Sequence, residues 1–122
     1  MYKARVEVEI DSGHFLKLTY PSKCVQQHGH RWRIVVYLAS NKLNENGMII
    51  DFTAIKDCVK EYDHVNLNKK DSFKEVNPTA ENFAGILARE ITDKLELEMN
   101  KPVVYQIDVY ETEKNMVTWE RD

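Results

Sequence analysis

Strict alternation opens the chain. Tyr2, Ala4, Val6, Val8 and Ile10 share one parity, and Lys3, Arg5, Glu7, Glu9 and Asp11 share the other. That is the pattern of a strand with one buried face. After "DSG", residues 14–20 continue the even parity as strand or irregular loop, and Pro21-Ser22 mark a turn. A second strand is predicted over "HGHRWRIVVYLAS". Its even positions are His28, His30, Trp32, Ile34, Val36 and Leu38, and its odd positions include Arg31, Arg33 and Tyr37. Asn46-Gly47 signals a tight turn.

Asp51 is a good N-cap for a first helix, in which Phe52, Ile55, Val59 and Tyr62 recur at helical spacing. The polar stretch "DHVNLNKKDSFKEVNPT" predicts a loop. Asn77 or Thr79 can cap a second helix, with Pro78 near its first turn. Phe83, Leu87, Ile91 and Leu95 form its apolar stripe, flanked by Ala84 and Ala88, and the pattern predicts helix to about Met99, before Pro102. A third strand is expected to place Val103, Tyr105, Ile107, Val109 and Glu111 on one face. "TEKN" turns the chain into a last strand, "MVTWE". Strands in hairpin pairs, not alternating with helices, predict an α+β domain over 1–122: a four-stranded antiparallel sheet with two helices on one face.

Composition narrows the function classes. The 122 residues are 43% hydrophobic and 30% charged, and the net charge of -3 argues against a nucleic-acid binder or a membrane-surface protein. No apolar run approaches the ~18 residues of a membrane span, and the alternating N-terminal residues predict no signal peptide. Cys24 and Cys58 are therefore expected as reduced thiols of a cytoplasmic protein.

The chemistry-bearing residues cluster around "CVQQHGH". Positions i and i+2 of a strand point the same way, so His28 and His30 form a same-face pair. Two imidazoles suit zinc, which takes nitrogen at ~2.0–2.1 Å, and His14 has the parity to be a third ligand. Three ordinary histidines of core or surface are the plainer alternative. Cys24 fits two roles: a fourth ligand that closes a structural site, or a free thiol beside a catalytic one. Cys58, between Ile55 and Val59, reads as a small core residue. Asp63 can orient the adjacent His64, although neighbouring side chains often point apart and a helix-end histidine explains the dipeptide as well. Glu111 continues an apolar parity, which is costly without a partner. A ligand ring with paired N–H donors would supply one, and a strand end open to water is the alternative.

Together, "DSGH", "CVQQHGH", "GMIIDF", "YDHVNLN", "NPTAEN" and "YETEKN" span nearly the whole chain. In order and spacing they resemble the 6-pyruvoyl-tetrahydropterin synthase / 6-carboxy-tetrahydropterin synthase family. The short gap from Cys24 to His28 is similar to the bacterial carboxy type. Ile10, where the family often has an aromatic, and the short loop from His14 to Cys24 depart from the pattern. The resemblance implies the tunnelling fold (T-fold), with three subunits joining sheets into a barrel and two trimers stacking as a homohexamer with interfacial sites. It implies His14, His28 and His30 as Zn2+ ligands, Cys24 as catalytic thiol and Asp63 and His64 as a proton relay. Glu111, with Thr112 beside it, would bind the pterin substrate. The implied activity is that of a lyase, 6-carboxy-5,6,7,8-tetrahydropterin synthase. It converts 7,8-dihydroneopterin triphosphate to 6-carboxy-tetrahydropterin, acetaldehyde and triphosphate for queuosine and other 7-deazapurines. Elimination of triphosphate to the pyruvoyl product is the first alternative. A non-catalytic zinc-stabilised pterin-binding module is the second.

Overall fold

In the computed structural model, which describes residues 1–122, the chain order is β1 (Tyr2–His14), β2 (His28–Ser40), α1 (Phe52–Lys60), α2 (Ala80–Leu95), β3 (Val103–Tyr110) and β4 (Met116–Glu120). The strands form one antiparallel sheet in the order β1-β2-β3-β4. α1 packs on β1, and α2 packs on β3 and β4. Val6, Val8 and Ile10 of β1 meet Trp32, Ile34, Val36 and Leu38 of β2, Ile55 and Val59 of α1, and Phe83, Leu87, Ile91 and Leu95 of α2 in one continuous core. The period-two and helical stripes read from the sequence are the buried faces.

Three local expectations fail, while β1 runs unbroken through "DSG": the ladder with β2 continues through Ser12↔His30 and Gly13↔Gly29 to His14↔His28. A Cβ on Gly13 would press on the His28 carbonyl at 3.2 Å and displace the movable end of Gln27. Phe52, the first residue of α1, is 47% exposed and lies off the helix's buried face. α2 stops at Leu95, short of Met99. Leu97 and Met99 are exposed and add nothing to the core. Asn100 turns the chain back, its amide donating to the carbonyls of Lys42 and Ile49, each at 3.0 Å.

The third failure is in β3. A bulge opposes Tyr37↔Gln106 and Leu38↔Val104, leaving Tyr105 as the extra residue. Val104, not Val103 or Tyr105, therefore enters the core with Ile107 and Val109. The parity beyond the bulge, which carries Glu111, is unaffected.

The polar loop between the helices contains short 3-10 turns at Leu67–Lys69 and Asp71–Phe73. Thr79, not Asn77, caps α2 by accepting from the Asn82 amide at 3.1 Å. Phe83 then stands at the centre of an aromatic cluster with Trp32, Tyr62 and Phe73, at ring distances of 5.5, 5.2 and 5.7 Å. Phe83→Ala is expected to cost about 3–5 kcal/mol in denaturant unfolding. Leu97→Ala, at an exposed position, is expected to stay within about 0.5 kcal/mol.

Candidate functional site

The β1–β2 register sets His14 directly opposite His28, with His30 two residues along the same face. His14 is buried and the other two are half-buried. Their ring centroids lie 4.5 Å (14–28), 5.2 Å (14–30) and 4.9 Å (28–30) apart. One ligand-type nitrogen from each falls within 4.8 Å of the others. Trp32, fully buried, forms the floor at 5.2 Å from His14 and 5.5 Å from His30. Its indole N–H donates to the Ser12 carbonyl at 3.1 Å.

Backbone carbonyls settle which nitrogens are free. His14 Nδ1 lies 2.7 Å from the Pro78 carbonyl, and His28 Nδ1 lies 2.8 Å from the Gln26 carbonyl. A carbonyl only accepts, so both Nδ1 atoms carry the hydrogen and both Nε2 atoms present lone pairs. Those two Nε2 atoms face each other at 3.0 Å. Two lone pairs at that distance repel unless a metal ion or a shared proton lies between them. His30 Nε2 is buried and has no hydrogen bond; Glu111 Oε1 is 3.3 Å away but not aligned to make one. Burial lowers the pKa values of His14 and His30, and this outweighs the opposing pull of the Pro78 carbonyl on His14 and of Glu111 on both. Imidazoles with oriented lone pairs are the donor set that zinc takes; His14 and His28, each held at Nδ1 by a carbonyl, fit it, and His30 adds an unpaired Nε2 beside them.

Cys24 sits half-buried in the 3-10 turn Lys23–Val25 and is not one of the converging ligand atoms. Asp63 and His64 do come together. His64 adopts φ 55°, which turns its ring back so that Nδ1 is 3.0 Å from Asp63 Oδ1. That backbone answers the objection that adjacent side chains diverge. Asp63 Oδ1 also accepts from the Asp11 amide at 2.9 Å, and the His64 amide donates to the Asp11 carbonyl at 2.6 Å. Asp63 titrates below the usual carboxylate range, first through the Asp11 amide and then through His64.

The pair lies at the outer edge of β1, beside Asp11, whose carboxylate accepts from Arg31 at 3.0 and 3.3 Å. His64 is exposed there, in a cleft that Gln27, His30, Arg31 and Asn66 also line. Within one chain, Asp63 and His64 group with the Asp11 carboxylate, apart from the converging nitrogens of the three imidazoles. Glu111 follows β3 and stands at the edge of the imidazole cluster. Thr112 Oγ1 accepts from the amides of Lys114 and Asn115, which leaves its own hydrogen for a ligand. Cys58 is half-buried against the core, and burial pushes its thiol pKa up.

The carbonyls of Pro78 and Gln26 and the amide of Asp11 escaped the reading of side-chain types, since any residue can supply a backbone group. Asn68 and Asn77 escaped it as well. They stand 53 and 60 residues from the backbone they hold, and only the asparagine-rich loop hinted at them.

The model of the 6-pyruvoyl tetrahydropterin synthase family matches residues 3–122. The chain belongs to this family. A 6-carboxy-5,6,7,8-tetrahydropterin synthase of Rickettsia conorii is 33% identical over 133 aligned positions, covering 92% of this chain and 95% of that protein. A Pyrococcus horikoshii relative is 48% identical over 68 residues, a stretch covering 56% of this chain and 43% of that protein. The 6-pyruvoyl tetrahydropterin synthase structure from Caenorhabditis elegans superposes with a TM-score of 0.76 at 24% identity, over 99% of this chain and 96% of that one. The sheet and its two helices are thus the tunnelling fold shared by the family's solved structures.

The lowered histidine pKa values carry a pH dependence. Between an unfolded pKa of about 6.5 and the lower folded values, the unfolded chain binds more protons, so stability falls as pH drops through that window. Metal-free protein is expected to melt at a lower temperature at about pH 5 than at about pH 7.5. His14→Gln is expected to flatten that slope in thermal melts.

Proposed function

We propose that this chain is a zinc-dependent 6-carboxy-5,6,7,8-tetrahydropterin synthase acting on 7,8-dihydroneopterin triphosphate, in the route to queuosine and other 7-deazapurines. The observation that carries the metal is the pair of Nε2 lone pairs of His14 and His28 facing each other at 3.0 Å, with the orphaned His30 Nε2 beside them. The choice of reaction is supported by the full-length relative of that name.

His14, His28 and His30 would hold the ion through neutral imidazole. Bound there, zinc would supply a Lewis acid for the hydroxyl oxygens of the substrate side chain. Cys24, outside the ligand group, is the base that takes a carbon-bound proton as thiolate. Had it been grouped with the imidazoles, the non-catalytic, closed-shell reading would be favoured. His64, oriented by Asp63 at 3.0 Å, passes protons on the other side of the substrate. Glu111, at the rim of the imidazole cluster, accepts the paired N–H donors of the pterin ring and orients it, with Thr112 next to it.

The Asp63–His64 pair groups with the Asp11 carboxylate and not with the three imidazoles, which supports a site completed between subunits. The sheet ends in two edge strands, β1 and β4, which are the edges a barrel of three subunits would join. A homohexamer built as two stacked trimers is part of the proposal. No helix is long and apolar enough to cross a membrane, in keeping with a cytoplasmic enzyme.

The pyruvoyl reaction uses the same residues, and the family's name keeps it as the second reading. Zinc-loaded protein given 7,8-dihydroneopterin triphosphate is expected to release acetaldehyde in step with triphosphate. Triphosphate without acetaldehyde would establish the pyruvoyl outcome. Cys24→Ala is expected to lower turnover by at least about 100-fold, the usual worth of a proton-transfer group, and full turnover in that variant would remove Cys24 from the mechanism.

A further inference from the structure

β1 ends at His14, yet the chain beyond it is not loose. Asn68 makes a two-point contact with the backbone of Phe15: its Oδ1 accepts from the Phe15 amide at 2.9 Å and its Nδ2 donates to the Phe15 carbonyl at 2.9 Å. Asn77 repeats the contact two residues on, with its Oδ1 accepting from the Lys17 amide at 2.8 Å and its Nδ2 donating to the Lys17 carbonyl at 2.7 Å. A carboxamide offers the same acceptor and donor as a peptide unit. Residues i and i+2 are where a neighbouring strand would supply such pairs. Two asparagine side chains therefore stand in for the strand that this edge lacks.

The intervening residue points its backbone the other way. The Leu16 amide donates to the Cys24 carbonyl at 2.8 Å. The turn that presents the Cys24 thiol is thus hung on the segment that the two asparagines hold. The residue after Asn77 is Pro78, whose carbonyl fixes the His14 tautomer at 2.7 Å. The Asn77 carbonyl is in turn held by Asn82 Nδ2 of α2 at 2.9 Å.

We propose that Asn68 and Asn77 are positioning residues that fix the metal ligand His14 and the thiol of Cys24 relative to one another, by acting as a two-rung substitute strand against Phe15 and Lys17. This rests on the functional reading above, because it takes His14 as a ligand and Cys24 as the base. The clamp makes the distance between those two groups a property of the 64–79 loop and not of the β1–β2 hairpin alone. Asn77 carries the larger share, since it also locates the Pro78 carbonyl.

The test uses the zinc-loaded full chain and the variants Asn77→Asp and Asn68→Ala. The carboxylate introduced by Asn77→Asp would keep the acceptor toward the Lys17 amide and lose the donor toward its carbonyl, so this variant disturbs one rung while sparing much of the fold. Two readouts are taken well below the melting temperature: zinc affinity by chelator competition, and the rate at which iodoacetamide alkylates Cys24, located by peptide mass. Loosening the groups that hold a ligand in place is expected to weaken zinc by about 10–100-fold and to speed Cys24 alkylation several-fold in the same variant. Should Asn68→Ala fail to fold, Asn77→Asp alone decides. Unchanged zinc affinity and unchanged Cys24 alkylation in a folded Asn77→Asp would overturn the proposal, as would a lowered melting temperature with both readouts unmoved. Absence of zinc binding in the unmodified chain would instead overturn the underlying reading, and the alkylation rates would still judge the clamp.

Discussion

Everything at the site depends on the register of β1 against β2. The same even parity that buries Val6, Val8 and Ile10 against Trp32, Ile34 and Val36 carries His14, His28 and His30 onto the helix-covered face. A slip of one residue would turn the apolar set to solvent and the imidazoles to the outer face together. Burial of the core therefore brings the three rings within reach, and hydrogen bonds from outside the two strands set the aim of His14 and His28. The cost of placing imidazoles at the end of a buried face shows in the lowered pKa values of His14 and His30 and in the orphaned His30 nitrogen. A bound cation would relieve that cost.

Around this rigid pair of strands, the remaining site residues are placed by irregular backbone held through specific hydrogen bonds. Cys24 hangs on Leu16, and Asp63–His64 is pinned to the Asp11 backbone at the edge of β1. The Pro78 and Gln26 carbonyls aim two of the rings. The division suits the proposed chemistry, in which a fixed metal would be joined by a separately placed base and relay.

The strands, both helix stripes and the grouping of His14 with His28 and His30 were legible because each rests on a period, and a period survives without tertiary knowledge. What was not legible depends on contacts distant in sequence. The Tyr105 bulge arises from how β3 must meet β2, and no alternation announces it. Phe52 has helical spacing but starts the helix before its buried face begins. The left-handed backbone of His64, which makes the Asp63–His64 pair possible, is set by pairing with Asp11. Asn68 and Asn77 looked like loop polarity because their partners lie across the fold. The family resemblance filled the gap that periodicity left at Cys24, where spacing alone fits both a fourth ligand and a free thiol.

A metal held by three imidazoles, with Cys24 left free, is the arrangement on which the proposed chemistry turns. X-ray absorption at the zinc edge of the loaded protein reads this. Nitrogen scatterers at about 2.0–2.1 Å and no sulfur shell is the result the account predicts. A sulfur shell at about 2.3 Å would place Cys24 on the metal and contradict it.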